Sequence, residues 1–554
     1  MKQLRTTLLL LALAAAVAGA QEALKSVEEE YYDFLALQGI TQRPTLNYRT
    51  LSDSEWQIPD GAEHPWQGSN LGSRRVLWQS ENDGEGFFTR GIEQSVVLKI
   101  YGPEWYNSYN SSSPYGQNDG ALWQGKGYNT SLTGGARLEA YGFEVTLKPQ
   151  ISFSQNKEYD YMLPGVCGSE YSYFWGGGID LVQRYGDSSF WTYDWGDTEV
   201  RYTWHTLTVG FGFQSPWLGP AWINPMLGSN NAGTYPKVDA GLRKTQVHLP
   251  WLHWYIGEIE ARVWIGRLTE SDYFDNDSSN DYRMLNALSL AYSPSFFPGL
   301  TLGINRIFMT NWEAENLKYF GRLFTLSDAD SNKSTEDQKI AFNASWIFPS
   351  VGFEVYGELG IDDYTSRPTA NPFHTAIYTV GAKKSFKISP QKRISGEIIF
   401  EWSNFEMSQD FQLQWMYMGY YSHGTVKQGY TQSGQIIGAG YGYAGNSQFI
   451  GVKIYYPKGS VMPYLHRSSP DNNYSYSLAV DADASTDADN TLSSDHYAAF
   501  KTYYALGISA DFFITKSLSI YAEYAYVEIT FPNWLNSKTG IPNYRFCFAA
   551  KYNF

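Results

Sequence analysis

The feature that most constrains this chain is a period of two in its apolar residues, sustained over runs longer than an ordinary strand. Between 143 and 154, Phe143, Val145, Leu147, Pro149, Ile151 and Phe153 alternate with Glu144, Thr146, Lys148, Gln150, Ser152 and Ser154. Successive side chains of a strand point to opposite faces, so one face of this segment is apolar and the other polar. The pattern returns at Ile340 to Phe348, Ile394 to Trp402 and Thr502 to Phe512. It also fills the last residues, where Tyr544, Phe546, Phe548, Ala550, Tyr552 and Phe554 alternate with Arg545, Cys547, Ala549, Lys551 and Asn553. Soluble sandwiches alternate too, but with strands of about 5 or 6 residues. Runs of about 10 to 13 suit strands that cross a bilayer at a tilt.

Connection lengths sharpen the argument. Eighteen strands are expected from residue 93 onward, the first at 93–101, the fourth at 198–204, the fourteenth at 433–443 and the fifteenth at 447–457. Connections after even-numbered strands are short, such as Tyr141, His205 and Pro349-Ser350. Those after odd-numbered strands are long, as at 102–129, 155–197, 215–239, 310–337, 407–432 and 458–498. Short turns at one end and long loops at the other define an outer-membrane barrel; a sandwich has no reason to sort its loops this way. Lipid offers no partner to an unpaired backbone N–H or C=O, so such a sheet must close on itself. The predicted fold is therefore an all-β transmembrane antiparallel barrel of about 18 strands. Trp105, Trp204, Tyr292, Trp346, Tyr378, Trp402 and Tyr526 are placed to form its interfacial aromatic girdles.

Composition agrees. The chain is 17% aromatic with 51 Gly, yet its mean hydropathy is −0.39, too polar for helical spans. Residues 1–20, with Lys2 and Arg5 before an apolar run and Ala18-Gly19-Ala20 at its end, read as a secretory signal peptide. Residues 21–92 read as a small N-terminal periplasmic helical or irregular segment, helical from Gln21 to Leu37, and 93–554 as the barrel. Without the two basic residues of the leader the formal charge of −15 becomes −17, which disfavours nucleic acid. The two cysteines, Cys167 and Cys547, allow either one disulfide or two free thiols.

Chemistry is sparse. The chain holds 8 histidines and no H-E-x-x-H, and His248 and His253 fall at a predicted periplasmic turn. Asp495-His496 and the group Asp194, Asp197 and His205 lack the geometry that a nucleophile, base and orienter require, so no enzyme activity, cofactor or metal is expected. The acidic runs Asp481/Asp483/Asp487/Asp489 and Glu270 to Asp281 read as solvated loops without the spacing of a calcium loop. Two loops, 171–197 and 215–236, combine flat aromatics with Asp, Asn, Gln and Arg. Such a mixture suits either sugars, with their apolar C–H faces and dense hydroxyls, or a plug packed over the barrel mouth.

At these loops the letters become familiar. SPWLGPAWINPMLGSNNAGTYP (215–236) and GEIEARVWIGRLTESDYFD (257–275) resemble the capsule-assembly Wzi family of outer-membrane proteins. So do PYGQNDGALWQGKGYNTSLTGG (114–135) and SHGTVKQGYTQSGQIIGAGYGYAGNSQ (422–448). The resemblance implies an 18-stranded barrel with a helical piece at its periplasmic end, acting as a lectin-like surface protein that attaches or organises capsular or exopolysaccharide, without catalysis. On that reading Trp217, Trp222, Asn230, Asn231, Tyr430 and Gln435 are the expected polysaccharide-binding residues, with Gly219, Pro220 and Pro225 shaping the loop. The alternative is a porin or substrate-specific channel, since a barrel of this size is wide enough for an aqueous pore. The terminal aromatic Phe554 resembles the signal read by the barrel assembly machinery, and the apolar faces imply outer-membrane lipid as the solvent.

Overall fold

A computed structural model describes residues 20–21, 26–59, 61–69, 76–80, 96–164, 169–174, 179–325, 336–362, 373–415, 418–477, 499–534 and 539–553. Residues 1–19 of the expected leader, Cys167, Asp481 to Asp489, Asp495, His496 and Phe554 lie outside these residues.

The strands close into an antiparallel barrel of eighteen. They are β1 (Val96–Asn110), β2 (Gly127–Ala140), β3 (Phe143–Leu147 and Gln150–Ser154), β4 (Phe190–Asp194 and Glu199–Trp204), β5 (Leu207–Gly212) and β6 (Lys237–His248). There follow β7 (Tyr255–Thr269), β8 (Tyr282–Pro294), β9 (Leu300–Asn311), β10 (Asp337–Phe348), β11 (Phe353–Asp362) and β12 (Ala376–Ser389). The circuit ends with β13 (Ile394–Asn404), β14 (Asn446–Tyr456), β15 (Gly459–Ser469), β16 (Thr502–Phe513), β17 (Leu518–Thr530) and β18 (Ile541–Tyr552). β18 pairs with β1 from Arg545 opposite Asn110 to Lys551 opposite Glu104. Below that, the short strand Val76–Ser80 pairs with Val96 to Lys99 and covers the remaining edge of β1. Turns after even-numbered strands are tight. At Tyr141-Gly142 both residues have positive φ, the geometry that matches strand twist in a two-residue hairpin.

The alternation sorts as expected. Phe143, Val209, Phe342, Leu506, Phe546 and Phe548 are exposed on the outside, as are Trp105, Trp204, Trp346 and Trp402. Inward positions are buried and polar, among them Arg137, Asp239, Arg262, Lys339, Glu401 and Arg545. Such a wall, apolar outside and polar within, places the protein in the bacterial outer membrane. No helix among the described residues is long and apolar enough to span a bilayer.

Four strand assignments need correction. β1 begins at Val96 and runs to Asn110 instead of ending at 101, so the first part of the expected loop 102–129 is wall. Residues 433–443 are not in the wall. Ile436, Ile437, Ala439, Tyr441 and Tyr443 are buried inside the barrel, and the alternation there comes from glycines packed under neighbouring chain. The strand expected at 447–457 is β14, and β15 lies in what reads as outer loop. Pro463 hides it: the proline sits where the β14–β15 pairing is interrupted between Gly451/Tyr464 and Ile454/Val461, because it has no N–H to give the ladder. β4 begins at Phe190 instead of 198, so Trp191 and Tyr193, which read as loop aromatics, are 71% and 53% exposed on the lipid-facing wall. The two shifts around β14 cancel, which preserves the count of eighteen.

The N-terminal segment is folded into the periplasmic end of the lumen. Helix α1 (Val27–Leu37) starts at Ser26, whose Oγ accepts from Glu29 N at 3.1 Å. Tyr31, Phe34 and Leu35 pack with Trp66 and with Tyr455 of β14. Ion pairs tie it to the wall: Glu30 to Lys453 at 2.8 Å, Asp33 to Lys383 at 2.6 Å, and Arg43 to both Asp33 and Glu354. Burial alone would raise the Asp33 carboxyl, but Arg43 and Lys383 hold it well below the usual carboxylate range.

Candidate functional site

The lumen is divided. On the side of β5 to β13 it is packed with the chain's own loops, seated by inward carboxylates of the wall. Glu260 of β7 accepts backbone N–H bonds from Leu46, Asn47 and Tyr48 at 2.7–2.9 Å. Glu358 of β11 accepts from Ala221 and Met226 at 3.0 and 3.1 Å. Glu401 of β13 accepts from Trp222, Ile223 and Asn224, and from the Tyr356 hydroxyl at 2.8 Å. Irregular loops expose backbone donors that a dry interior cannot leave open, and a carboxylate with two oxygens satisfies several at once. The loops then lock to one another. Ser229 N donates to Ile437 O, Tyr421 OH to Met226 O, Tyr430 OH to Leu227 O and Asn231 Nδ2 to Ile436 O. Gly120 N donates to Asn230 O.

Below this plug an unbroken chain of ion pairs crosses the inner wall. It runs Lys99, Glu139, Arg137, Glu144, Arg243, Asp53, Arg262, Asp239, Arg201, Glu199, each consecutive pair within 2.6–3.0 Å. A recess of about 950 Å³ opens at the periplasmic end beneath it, lined by Arg43, Asp53, His205, Arg243, Lys244 and Glu258 and, among the described residues, by no Phe, Tyr or Trp.

The other side, formed by β14 to β18 and β1, is open. A cavity of about 620 Å³ runs along it from the outer loops to Glu28 and Glu30 of α1. The size falls within the roughly 300–1,000 Å³ of small-molecule sites. Its outer part presents Trp123, Trp222, Tyr115, Tyr503 and Trp534 beside the planar amides Gln117, Asn118, Gln183, Asn231 and Gln435. Deeper, Tyr464 and Tyr521 donate to the two oxygens of Glu523 at 2.5 and 2.6 Å, and Arg545 approaches the Tyr106 hydroxyl at 3.1 Å. Trp222 lies against Phe449 with ring centroids 4.8 Å apart, and Lys501 lies 4.7 Å from the ring centre of Trp534. Two indole donors on this lining, Trp123 Nε1 and Trp534 Nε1, and the acceptor Asn118 Oδ1 have no hydrogen-bond partner in the protein. Burial pushes the carboxyls of Asp119 and Asp471, also on the lining, up to about 6.

The predicted residues divide between the two sides. Trp222, Asn231 and Gln435 line the cavity. Trp217 is fully buried, its Nε1 donating to Ala221 O at 2.9 Å, and Tyr430 is buried under its bond to Leu227, so both act as plug timber instead of presenting a face to a ligand. Asn230 joins the loops through its carbonyl. Asp194 accepts from Thr234 N and Oγ1 at the break between the two halves of β4, Asp197 pairs with Lys148 at 2.5 Å, and His205 sits in the turn after the inner end of β4, so Asp194 and His205 stand at opposite ends of the second half. Glu270 is held by Gln428 at 2.5 Å. No three His, Cys, Asp or Glu side chains among the described residues are grouped to hold a metal ion. Cys547 is a buried free thiol 3.3 Å from the Tyr106 hydroxyl. The cavity residues that sequence reasoning passed over are Trp123, Tyr503, Trp534 and Arg545. Trp123 stands inside the block 114–135, where its place beside Gln117, Asn118 and Gln124 was the available signal.

A closed, apolar-coated, 18-stranded barrel with its lumen half filled by loops and half lined with aromatics and amides defines a plugged outer-membrane protein. Residues 108–540 match the family model described as capsule assembly protein Wzi, and the chain belongs to that family. Wzi of Escherichia coli, described as an outer-membrane protein involved in group 1 capsule assembly and as a carbohydrate-binding β-barrel, superposes with a TM-score of 0.56. The alignment is 10% identical and covers 97% of this chain and 100% of that one, a likeness of fold. OprB of Pseudomonas putida aligns with a TM-score of 0.38 at 11% identity, covering 82% of this chain and 94% of that one. OccAB1 of Acinetobacter baumannii gives 0.37 at 10%, covering 82% and 96%. No curated protein matches the chain by sequence.

Proposed function

We propose that this protein binds and organises capsular or extracellular polysaccharide at the cell surface, and that the open side of its lumen is where a saccharide is held. The observation that carries this reading is the cavity lining, in which Trp123, Trp222 and Trp534 stand among planar amides and carboxylates. A pyranose offers a C–H face to such rings and hydroxyls to the polar groups beside them. Membership of the Wzi family and the carbohydrate binding described for Escherichia coli Wzi support it. The binding residues are Trp222, Asn231 and Gln435, joined by Trp123 and Trp534. Trp217, Tyr430 and Asn230 act by holding the loops that carry them. No catalytic step belongs to this role.

The test is deletion of the gene in an encapsulated host, with cell-bound and released polysaccharide measured. A shift toward release is expected, and a W222A/W123A double variant should reproduce it. An unchanged ratio on deletion would sink the proposal. The channel reading draws on one observation, that the cavity lining reaches α1 at the periplasmic end. A steady open pore of the intact protein in planar bilayers would favour that reading over a closed saccharide-binding barrel.

A further inference from the structure

Strand β8 is buried at every position from Arg283 to Ser289, although a barrel strand ordinarily meets protein only on its lumenal face. Asn47 reaches Ser289 and Asn305 from within, so Asn286, Leu288, Arg306, Phe308 and Thr310, of opposite parity on β8 and β9, point outward. What covers them is the start of the β9–β10 loop, folded back over the outside of the wall. It comprises the 3-10 turn Ala314–Leu317 and helix α2 (Lys318–Arg322). Tyr319 and Leu323 pack on Leu288 and Phe308, and the carbonyls of Leu323 and Thr325 accept from Arg306 Nη1 at 3.4 and 2.6 Å.

This part of the lipid-facing wall mixes polar side chains among the apolar ones: it presents Asn286, Arg306 and Thr310 beside Leu288 and Phe308. Asn286 is fully buried with neither amide atom hydrogen-bonded. An outward Arg costs about 2–4 kcal/mol at the bilayer midplane but only about 0–1 near the interface, so this patch belongs at the outer headgroup level. The flap adds a surface of two kinds. Trp312, Leu317 and Phe324 are 45%, 50% and 62% exposed. Beside them stand three outward cations: Arg267 of β7 over the ring of Tyr282 at 4.7 Å, and Lys318 and Arg322 against the ring of Tyr319 at 5.1 and 4.8 Å. Arg322 is also paired with Glu336 at 2.7 Å, and Glu313 and Glu315 are exposed on the first turn.

We propose that this flap is a docking site for a phosphorylated glycolipid of the outer leaflet, with its phosphates at Arg267, Lys318 and Arg322 and its acyl chains along Leu317 and Phe324. The surface faces the membrane, so its occupant is a lipid. Cations spread over two elements suit a headgroup with more than one phosphate better than a single phosphodiester. The sugar backbone meets Trp312 and Tyr282 as it would any aromatic platform. Such a contact would moor the barrel in the leaflet whose sugars adjoin its mouth, and it stands whether or not the cavity binds a saccharide.

The full chain, repurified in detergent, is offered equal amounts of purified lipopolysaccharide and phosphatidylglycerol in mixed micelles, and bound lipid of each kind is counted by native mass spectrometry. The wild type should retain the glycolipid in preference. R267E/K318E should retain less by about fivefold per reversed cation, and L317D/F324D should weaken it separately, with saccharide binding unchanged in both. Lys318 is exposed, so K318E alone carries the test if the double variant fails to fold. Equal retention by wild type and charge variants, preference for phosphatidylglycerol, or no retained lipid would each overturn the proposal.

Discussion

The two sides of the lumen are built on the same wall, with inward polar residues at every second position, and put it to opposite uses. Around β4 to β13 those residues are consumed by the chain itself: Glu260, Glu358 and Glu401 take up loop N–H groups, and Arg201 and Arg262 share Asp239. Around β14 to β18 and β1 they face a cavity, which Trp123, Trp222 and Trp534 line at its outer part. Recognition chemistry thus concentrates where the plug stops. Stability and binding should therefore separate cleanly by side.

The sharpest way to break this comparison is to substitute two tryptophans five residues apart in one loop. Trp217→Ala, in the packed side, should cost about 3–5 kcal/mol of unfolding free energy in urea titrations. Trp222→Ala, on the cavity, should leave stability within about 1 kcal/mol of wild type while weakening saccharide binding about tenfold, as the loss of one stacking platform predicts. If both variants lose stability alike, the division is not real. Arg262→Met, which leaves Asp53 and Asp239 short of a partner, should likewise destabilise by about 3–5 kcal/mol without touching saccharide affinity.

Much of this architecture can be read in the letters. The alternation Phe143 to Phe153 dictates which residues face lipid, and loop lengths dictate which end is outside, because both follow from period two and from the need to close the sheet. The plug is harder. Residues 433–443 alternate as a strand does, yet Gly438 and Gly440 are there to fit against Met226, Tyr421 and Asn231, partners distant in sequence that no local period reports. Trp217 and Trp222 look equivalent in sequence. Only the position of Glu358 and Glu401 across the lumen decides which one is enclosed.

The seating of the loop gives the next prediction. Glu401→Ala removes the acceptor of three consecutive backbone N–H groups, and hydrogen bonds to a charged partner contribute about 1.5–3 kcal/mol. The loop 213–236 should lift, and planar-bilayer recordings should show conductance steps that the wild type lacks. Silent recordings with a folded variant would mean that Glu358 and the contacts to Ile437 suffice.

The smallest effect expected concerns Asp471, whose left-handed backbone at φ +54° is tolerated by Asn as well as Asp. It accepts from Tyr443 N, and burial pushes its carboxyl up to about 6. A carboxyl whose folded value lies above its unfolded value of about 4 makes the fold bind more protons between those limits, so stability falls as pH rises from about 4 to 6 and stays lower above. Asp471→Asn carries no such charge. At pH 7.5 it should be more stable than wild type by about 1–2 kcal/mol, and at pH 4 the two should coincide. Because the residue lines the cavity, its neutralisation should also relieve repulsion of an acidic saccharide. A variant that binds such a glycan more tightly at pH 7.5 than wild type, with the gap closing on acidification, would assign Asp471 to the open side as a charge filter; parallel binding curves at all pH values would confine it to the wall.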